Sequence, residues 1–167
     1  MPVRDVASPF PVIDRDPHFV RVVRYFRPSD YAAWVAGTAI APGLLLGMEK
    51  MNPSGAAGNI RSPLKLAAFL GAIGGFLYAY QRSSLRFWGC TENAAEVEKD
   101  YAEMTQRIKE GKPLYGESQM SPYLQGVAAR NSRYGQLKFS AIPWFNVVNH
   151  PYHGVDTSKY EEAAKGN

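Results

Sequence analysis

A chain of 167 residues carrying 19 lysines and arginines against 15 aspartates and glutamates has room for one ordinary domain and only a modest basic excess. Its cations flank apolar blocks or mix with acids instead of gathering on one face between aromatics, which argues against nucleic-acid binding. The single cysteine, Cys90, excludes an intramolecular disulfide and a multi-cysteine zinc or iron–sulfur site, and reads as a structural thiol.

Residues 1–28 form a polar lead with Pro2, Pro9, Pro11, Pro17 and Pro28, so an extended path over a surface is predicted in place of a stable helix. A short helical stretch over His18–Phe26 fits within it, with Phe19, Val22, Val23 and Phe26 on one face and Arg21 and Arg24 off it. The start, Met1-Pro2-Val3-Arg4-Asp5, has no apolar core or small-residue cleavage site. With Asp5, Asp14 and Asp16 it does not read as an acid-poor cleaved transit peptide, so any organelle targeting is expected to be internal and retained.

The mean hydropathy of −0.29 and the 20% charged residues describe a soluble protein on average, but the charges are unevenly spread. Tyr31 to Met48 holds no Asp, Glu, Lys or Arg, and neither does Leu66 to Gln81. The first run, about 27 Å long as a helix, nearly matches a hydrocarbon core of about 30 Å. It predicts a membrane helix over 29–48, begun by Ser29 or Asp30 as N-cap and kinked at Pro42-Gly43. A turn-rich connection follows at 49–62. A second membrane helix is predicted over 63–88, with Ser62 as N-cap, Pro63 at the first helical position and Gly89 as the stop. Two such runs in a soluble domain would need a large amphipathic envelope, and the sequence offers a single amphipathic helix.

That helix is predicted over 91–110, ended by Gly111 and Pro113, with Ala94, Val97, Tyr101, Met104 and Ile108 as its apolar stripe and Glu96, Lys99, Glu103, Arg107 and Glu110 opposite. Residues 111–167 are rich in Gly, Pro, Asn and aromatics without a clear period, and predict an extended tail lying on a partner. The fold class is therefore an all-α membrane protein: a two-helix hairpin, an amphipathic helix and extended polar termini.

In a hairpin the aromatics at the start of the first span and the end of the second meet at one membrane face. Tyr31, Trp34, Tyr78, Tyr80 and Trp88 are the predicted interfacial residues, with Lys65 and Arg82 able to snorkel to headgroups. Six terminal-side arginines (Arg15, Arg21, Arg24, Arg27, Arg82 and Arg86) against Lys50, Arg61 and Lys65 in the connection favour both termini on the positive-inside face. Small residues recur every fourth position, as Ala33, Gly37 and Ala41 on the first helix and Ala67, Gly71, Gly75 and Ala79 on the second, with Gly43 and Gly47 as a further pair. In lipid such rows let backbones approach closely, which makes them the predicted helix-packing residues.

Chemistry-bearing motifs are scarce. Gly71-Ala72-Ile73-Gly74-Gly75 lacks the Lys-Ser/Thr of a phosphate loop, and His150 and His153 have no cysteine or acid beside them in sequence to complete a metal site, so they read as surface or packing histidines. No ionisable side chain lies in the middle of either span, which argues against a proton path through this chain. These features point to an anchor or scaffold, with no cofactor and no small-molecule substrate.

Pro11-Val12-Ile13-Asp14-Arg15-Asp16-Pro17-His18-Phe19, followed by Val22-Val23-Arg24-Tyr25-Phe26-Arg27-Pro28-Ser29-Asp30-Tyr31, resembles the fungal 21-kDa accessory subunit of respiratory complex I, and the likeness runs on through both spans and the 91–111 helix. The resemblance implies a non-catalytic subunit of the membrane arm of mitochondrial NADH:ubiquinone oxidoreductase, without flavin or iron–sulfur cluster. It would sit in the inner membrane with both termini in the matrix, among other membrane-arm subunits and lipids. The alternative is an assembly factor or scaffold of another inner-membrane complex.

Overall fold

The computed structural model describes residues 7–53, 60–135 and 144–165, and every named element among them is a helix. In chain order these are α1 (Phe19–Arg24), α2 (Pro28–Met51), α3 (Arg61–Phe87), α4 (Ala94–Lys109), α5 (Pro122–Ser132) and α6 (Ser158–Lys165). Parts of the expected N-terminal lead, the 49–62 connection and the tail fall outside the described residues. The chain divides into two compact units, one spanning Phe26–Ser83 and the other combining Met1–Tyr25 with Ser84–Asn167.

The first unit holds α2 and most of α3. α2 begins two residues earlier than the Ser29 or Asp30 cap predicted: Pro28 takes the first turn, and the Asp30 carboxylate reaches back to accept from the Arg27 amide at 2.8 Å. The fixed φ of Pro28 and its missing N–H suit that position. Asp30 is fully buried and also meets Arg82 of α3 at 3.4 Å. The helix continues through Pro42 to Met51 without a break. Both helices are long and apolar enough to cross a bilayer by length and composition, with mean hydropathy 1.4 and 1.3 over their most apolar windows.

The second unit is built on the end of α3. Gly89 adopts φ +68°, and the Cys90 amide closes back on Leu85 O at 2.9 Å, a left-handed helix stop that the sequence marks. The N-terminal lead lies along this end: the Phe10 amide donates to Gly89 O at 3.1 Å, and the amides of Ile13 and Asp14 donate to Phe87 O at 2.9 and 3.2 Å. Asn93 ties the two together by donating to Pro11 O and Arg86 O at 2.8 and 2.7 Å.

Two findings depart from the sequence reading. The 111–167 region is not simply extended, because it contains α5 and α6. α5 starts where the Ser121 hydroxyl accepts from the Leu124 amide with Pro122 at the first position; near α6, Asp156 accepts from the Ser158 amide at 3.0 Å. Such cap signals specify short helices locally even where apolar periodicity is weak. The second departure concerns α4, which buries two acids together with Met104 of the predicted stripe. Glu96, Asp100 and Met104 are the buried residues, while Ala94 and Tyr101 of the predicted apolar stripe are exposed and Val97 and Ile108 half-buried.

Gly89→Ala should lower stability by about 1–3 kcal/mol, since it combines a positive-φ residue with a Cβ that would collide with Phe10 O. Thermal unfolding of the full chain in detergent reads this out.

Candidate assembly surfaces and the ionic cluster behind them

In the Phe26–Ser83 unit the contact between α2 and α3 is made at backbone distance. A Cβ added to Gly37 would lie 2.8 Å from Gly75 Cα, one on Gly71 would lie 2.8 Å from Thr38 O, and one on Gly75 would lie 2.6 Å from Trp34 O. As α2 advances from Trp34 to Thr38, its partner position on α3 recedes from Gly75 to Gly71, so the helices cross antiparallel. One hydrogen bond spans the crossing, Trp34 Nε1 donating to Ala72 O at 2.9 Å, while Thr38 Oγ1 donates back to Trp34 O within α2 at 2.9 Å. The Trp34 ring also packs edge-on against Phe76, 5.1 Å between centroids.

Of the other small residues, Ala79 is fully buried, and Ala33, Ala41 and Ala67 are half-buried. A Cβ on Gly43 or Gly47 would meet open space. The aromatics divide. Tyr31 and Tyr78 are exposed and Trp34 half-buried, whereas Tyr80 is buried, and so is Trp88, in an edge contact with Tyr134. Tyr80 and Trp88 thus pack against other parts of this chain. Lys65 is exposed, and Arg82 lies over the Tyr78 ring.

The polar centre of the second unit is Arg21. It lies off the apolar face of α1, yet its side chain is only 9% exposed, bonded through one guanidinium nitrogen to Asp14 at 2.8 Å and through the other to Asp100 of α4. Around it the ion pairs continue: Arg86 to Glu96 at 2.9 Å, Arg24 to Glu103 at 2.9 Å, and Tyr25 OH donating to Glu103 at 2.7 Å. Tyr160 of α6 donates to Asp100 at 2.5 Å.

The two histidines close the cluster from the tail. His153 Nδ1 lies 2.7 Å from Asp14 and its Nε2 lies 2.7 Å from His150 O, so each ring nitrogen faces an acceptor. His150 accepts from the Tyr152 amide at Nδ1, which leaves Nε2–H to donate to Asp16 at 2.9 Å. Asp16 also accepts from Ser132 Oγ of α5 at 2.5 Å. Thus the acids absent near the histidines in sequence are supplied by the N-terminal lead, and both histidines are buried structural groups. Among the described residues no three His, Cys, Asp or Glu side chains converge as a metal site.

Burial alone would push the Asp14 carboxyl up, but His153 and Arg21 hold it below its usual range. Asp100 goes the other way: burial raises it, outweighing Arg21 and the Tyr160 hydroxyl. Two carboxylates around one guanidinium, only one with a histidine of its own, divide in this manner. Burial and the neighbouring carboxylates also push the phenols of Tyr25, Tyr115 and Tyr160 up.

Sequence reasoning missed Asp14, Asp16, Arg21 and Asp100. One signal was present: Glu96, Asp100 and Glu103 share an i, i+4, i+7 row on α4, continued by Arg107, directly beside the apolar one. Nothing in the sequence shows that Asp14 and Arg21 meet it.

The ion pairs and hydrogen bonds of this cluster join the N-terminal lead, α1, α4, α5, α6 and the tail of an all-helical chain. The chain belongs to the family of the 21 kDa subunit of NADH-ubiquinone oxidoreductase, complex I: the family itself matches residues 7–92, and the family of the C-terminal part of the same subunit matches residues 101–167. It is 54% identical over 157 residues to the NADH-ubiquinone oxidoreductase 20.9 kDa subunit of Neurospora crassa, covering 93% of this chain and 83% of that one. As a member of this family it is an accessory, non-catalytic subunit of the respiratory complex of the mitochondrial inner membrane.

Asp14→Asn and Arg21→Met each leave a buried charge without its partner and should destabilise the chain by about 3–5 kcal/mol. Asp100→Asn should cost clearly less, because its ionised form is already disfavoured and an amide oxygen can still accept from Arg21 and Tyr160. Asp14 is held below the free value of 3.8, so its contribution is complete above that pH and is lost as pH falls through the still lower folded value. The Asp14→Asn penalty should therefore shrink once the pH falls below about 3.8. Detergent-phase unfolding of the three variants at pH 7 tests the order, and repeating the Asp14→Asn comparison in acid tests the sign.

Proposed function

We propose that this subunit is a scaffold of the membrane arm, supporting assembly and stability of the complex, with α2 and α3 crossing the inner membrane as a hairpin. The supporting observation is the outward surface of α2: none of its most apolar window is buried within the chain, and Val35, Ile40, Leu44, Leu46 and Met48 are exposed. Unpartnered apolar surface on that scale is stable against lipid tails or neighbouring membrane helices, not against water. The two helices, 24 and 27 residues long, would measure roughly 36 and 40 Å at 1.5 Å per residue, enough to span a core of about 30 Å with some tilt.

In this reading Gly37, Gly71 and Gly75, flanked by Ala33, Ala41, Ala67 and Ala79, form the packing seam. Tyr31, Trp34 and Tyr78 sit at the headgroup level with Lys65 and Arg82 as anchors. Close backbone contact matters in lipid because no hydrophobic driving force brings helices together there. Both termini lie in the matrix, following the excess of cations on that side. The partners are other membrane-arm subunits and membrane lipids, with no nucleic acid and no small-molecule substrate.

Gly71→Leu or Gly75→Leu should lower the amount of assembled complex while leaving the turnover of each assembled complex unchanged. Native gels with in-gel NADH oxidation separate the two quantities, and normal assembly would count against the scaffold role. Orientation has its own test: tags on both termini should be protected from protease in intact mitoplasts and cleaved once the inner membrane is opened. Cleavage of either tag in sealed mitoplasts would reverse the assignment.

A further inference from the structure

Beside the Arg21 cluster, α1, α4 and the tail frame a cavity of about 250 Å³. Arg21 and Arg24 of α1 and Arg107 of α4 line it, and Glu103 is the acid among its lining residues. Arg24 and Arg107 meet the same oxygen of Glu103, at 2.9 and 3.5 Å, while the other oxygen accepts from Tyr25 OH at 2.7 Å. Two guanidiniums on one carboxylate leave a positive charge over, and both side chains stay partly open to solvent, 52% and 29% exposed. Asp14 and Asp100, which balance Arg21, are not among the lining residues. His18 lines the cavity too; its Nδ1 accepts from the Val20 amide, so its Nε2 carries the hydrogen as a donor. The Glu103 carboxyl registers the local field: burial alone would raise it, yet the Tyr25 hydroxyl and the three arginines hold it below its usual range.

We infer that this cavity binds the phosphoryl group of a phosphate ester, held by Arg24, Arg107 and His18, as a structural ligand and not a substrate. A carboxylate such as Glu103 offers its oxygens in one plane, and both arginines already crowd onto one of them. A tetrahedral phosphoryl group presents oxygens in separate directions, and guanidiniums recognise it through paired N–H donors. The rest of the wall includes Val20, Met104, Leu114 and Val148, which suit an organic group attached to the phosphate better than a bare inorganic ion. Such a ligand ties α1 to α4 and the tail, and supplies the anion that Arg24 and Arg107 otherwise share in Glu103. A phospholipid headgroup and a soluble phosphate ester have this chemistry in common.

The full chain, in maltoside detergent and phosphate-free buffer, is titrated with phenyl phosphate, dihexanoyl phosphatidate and benzoate, and Kd is read from the rise in unfolding temperature. Saturable stabilisation by the phosphate esters is expected, with benzoate clearly weaker. Arg24→Gln and Arg107→Gln should each weaken phosphate binding about tenfold or more, through loss of a charge-assisted hydrogen bond. Glu103→Gln should tighten it, because a neutral amide competes less for the two arginines, whereas a purely structural role for Glu103 predicts weakening. Should the variants at 103 or 107 fail to fold, Arg24→Gln, at a largely exposed side chain, still decides the matter. Tighter binding of the phosphatidate than of phenyl phosphate assigns the site to a lipid headgroup, and the reverse order to a soluble ester. No saturable stabilisation by either ester, equal stabilisation by benzoate, or affinities indifferent to Arg24→Gln would overturn the inference.

Discussion

Arg21 is held in the interior by two carboxylates that come from opposite directions, Asp14 from the N-terminal lead and Asp100 from α4. A guanidinium taken out of water without partners loses several kcal/mol of solvation, so wherever Arg21 goes, acids must follow. Asp14 in turn draws in His153, Asp100 draws in Tyr160, and the neighbouring Asp16 gathers His150 and Ser132. One buried cation thereby recruits the lead, α4, α5, α6 and the tail around the end of α3. Segments with little apolar periodicity of their own acquire defined positions through it.

The same demand explains the rotation of α4. Exposing a tyrosine and leaving a valine half-buried forgoes at most about 1.5–3 kcal/mol for each side chain, whereas leaving Arg21 and Arg86 without Asp100 and Glu96 would forfeit a larger amount for each charge. The two rows share the interior: Glu96 and Asp100 are buried together with Met104 of the apolar row, while Ala94 and Tyr101 stay exposed. In an accessory subunit that outcome is coherent, because burial that the chain cannot complete alone can be completed by its neighbours.

Between α2 and α3 a different rule holds. At Gly37, Gly71 and Gly75 the limiting quantity is the separation of two backbones, and any side chain there would prop the helices apart. Trp34 exploits that proximity by spanning from α2 to the Ala72 carbonyl of α3, a contact only closely approached helices permit. The seam is dispersive and steric, the Arg21 cluster electrostatic, and each suits its own composition: α2 and α3 with few charges in their long runs, and a lead, α4 and tail dense in acids and bases.

The sequence by itself determined the elements whose cause is local. Uncharged runs set α2 and α3 and Gly89 set the stop after α3, while of the every-fourth-residue glycines Gly37, Gly71 and Gly75 lie where the two helices touch and Gly43 and Gly47 do not. It did not disclose α5 and α6 beyond their cap residues, because apolar periodicity there is weak. Tertiary structure alone decided the identity of the polar core. Asp14 and Asp100 are 86 positions apart in the chain, and neither carries a signal that it will share Arg21 with the other. It also decided which side of α4 faces in. An amphipathic helix displays its rows in its sequence, and how it is turned is set by its partners, here buried arginines that draw Asp100 and Glu96 inward beside Met104.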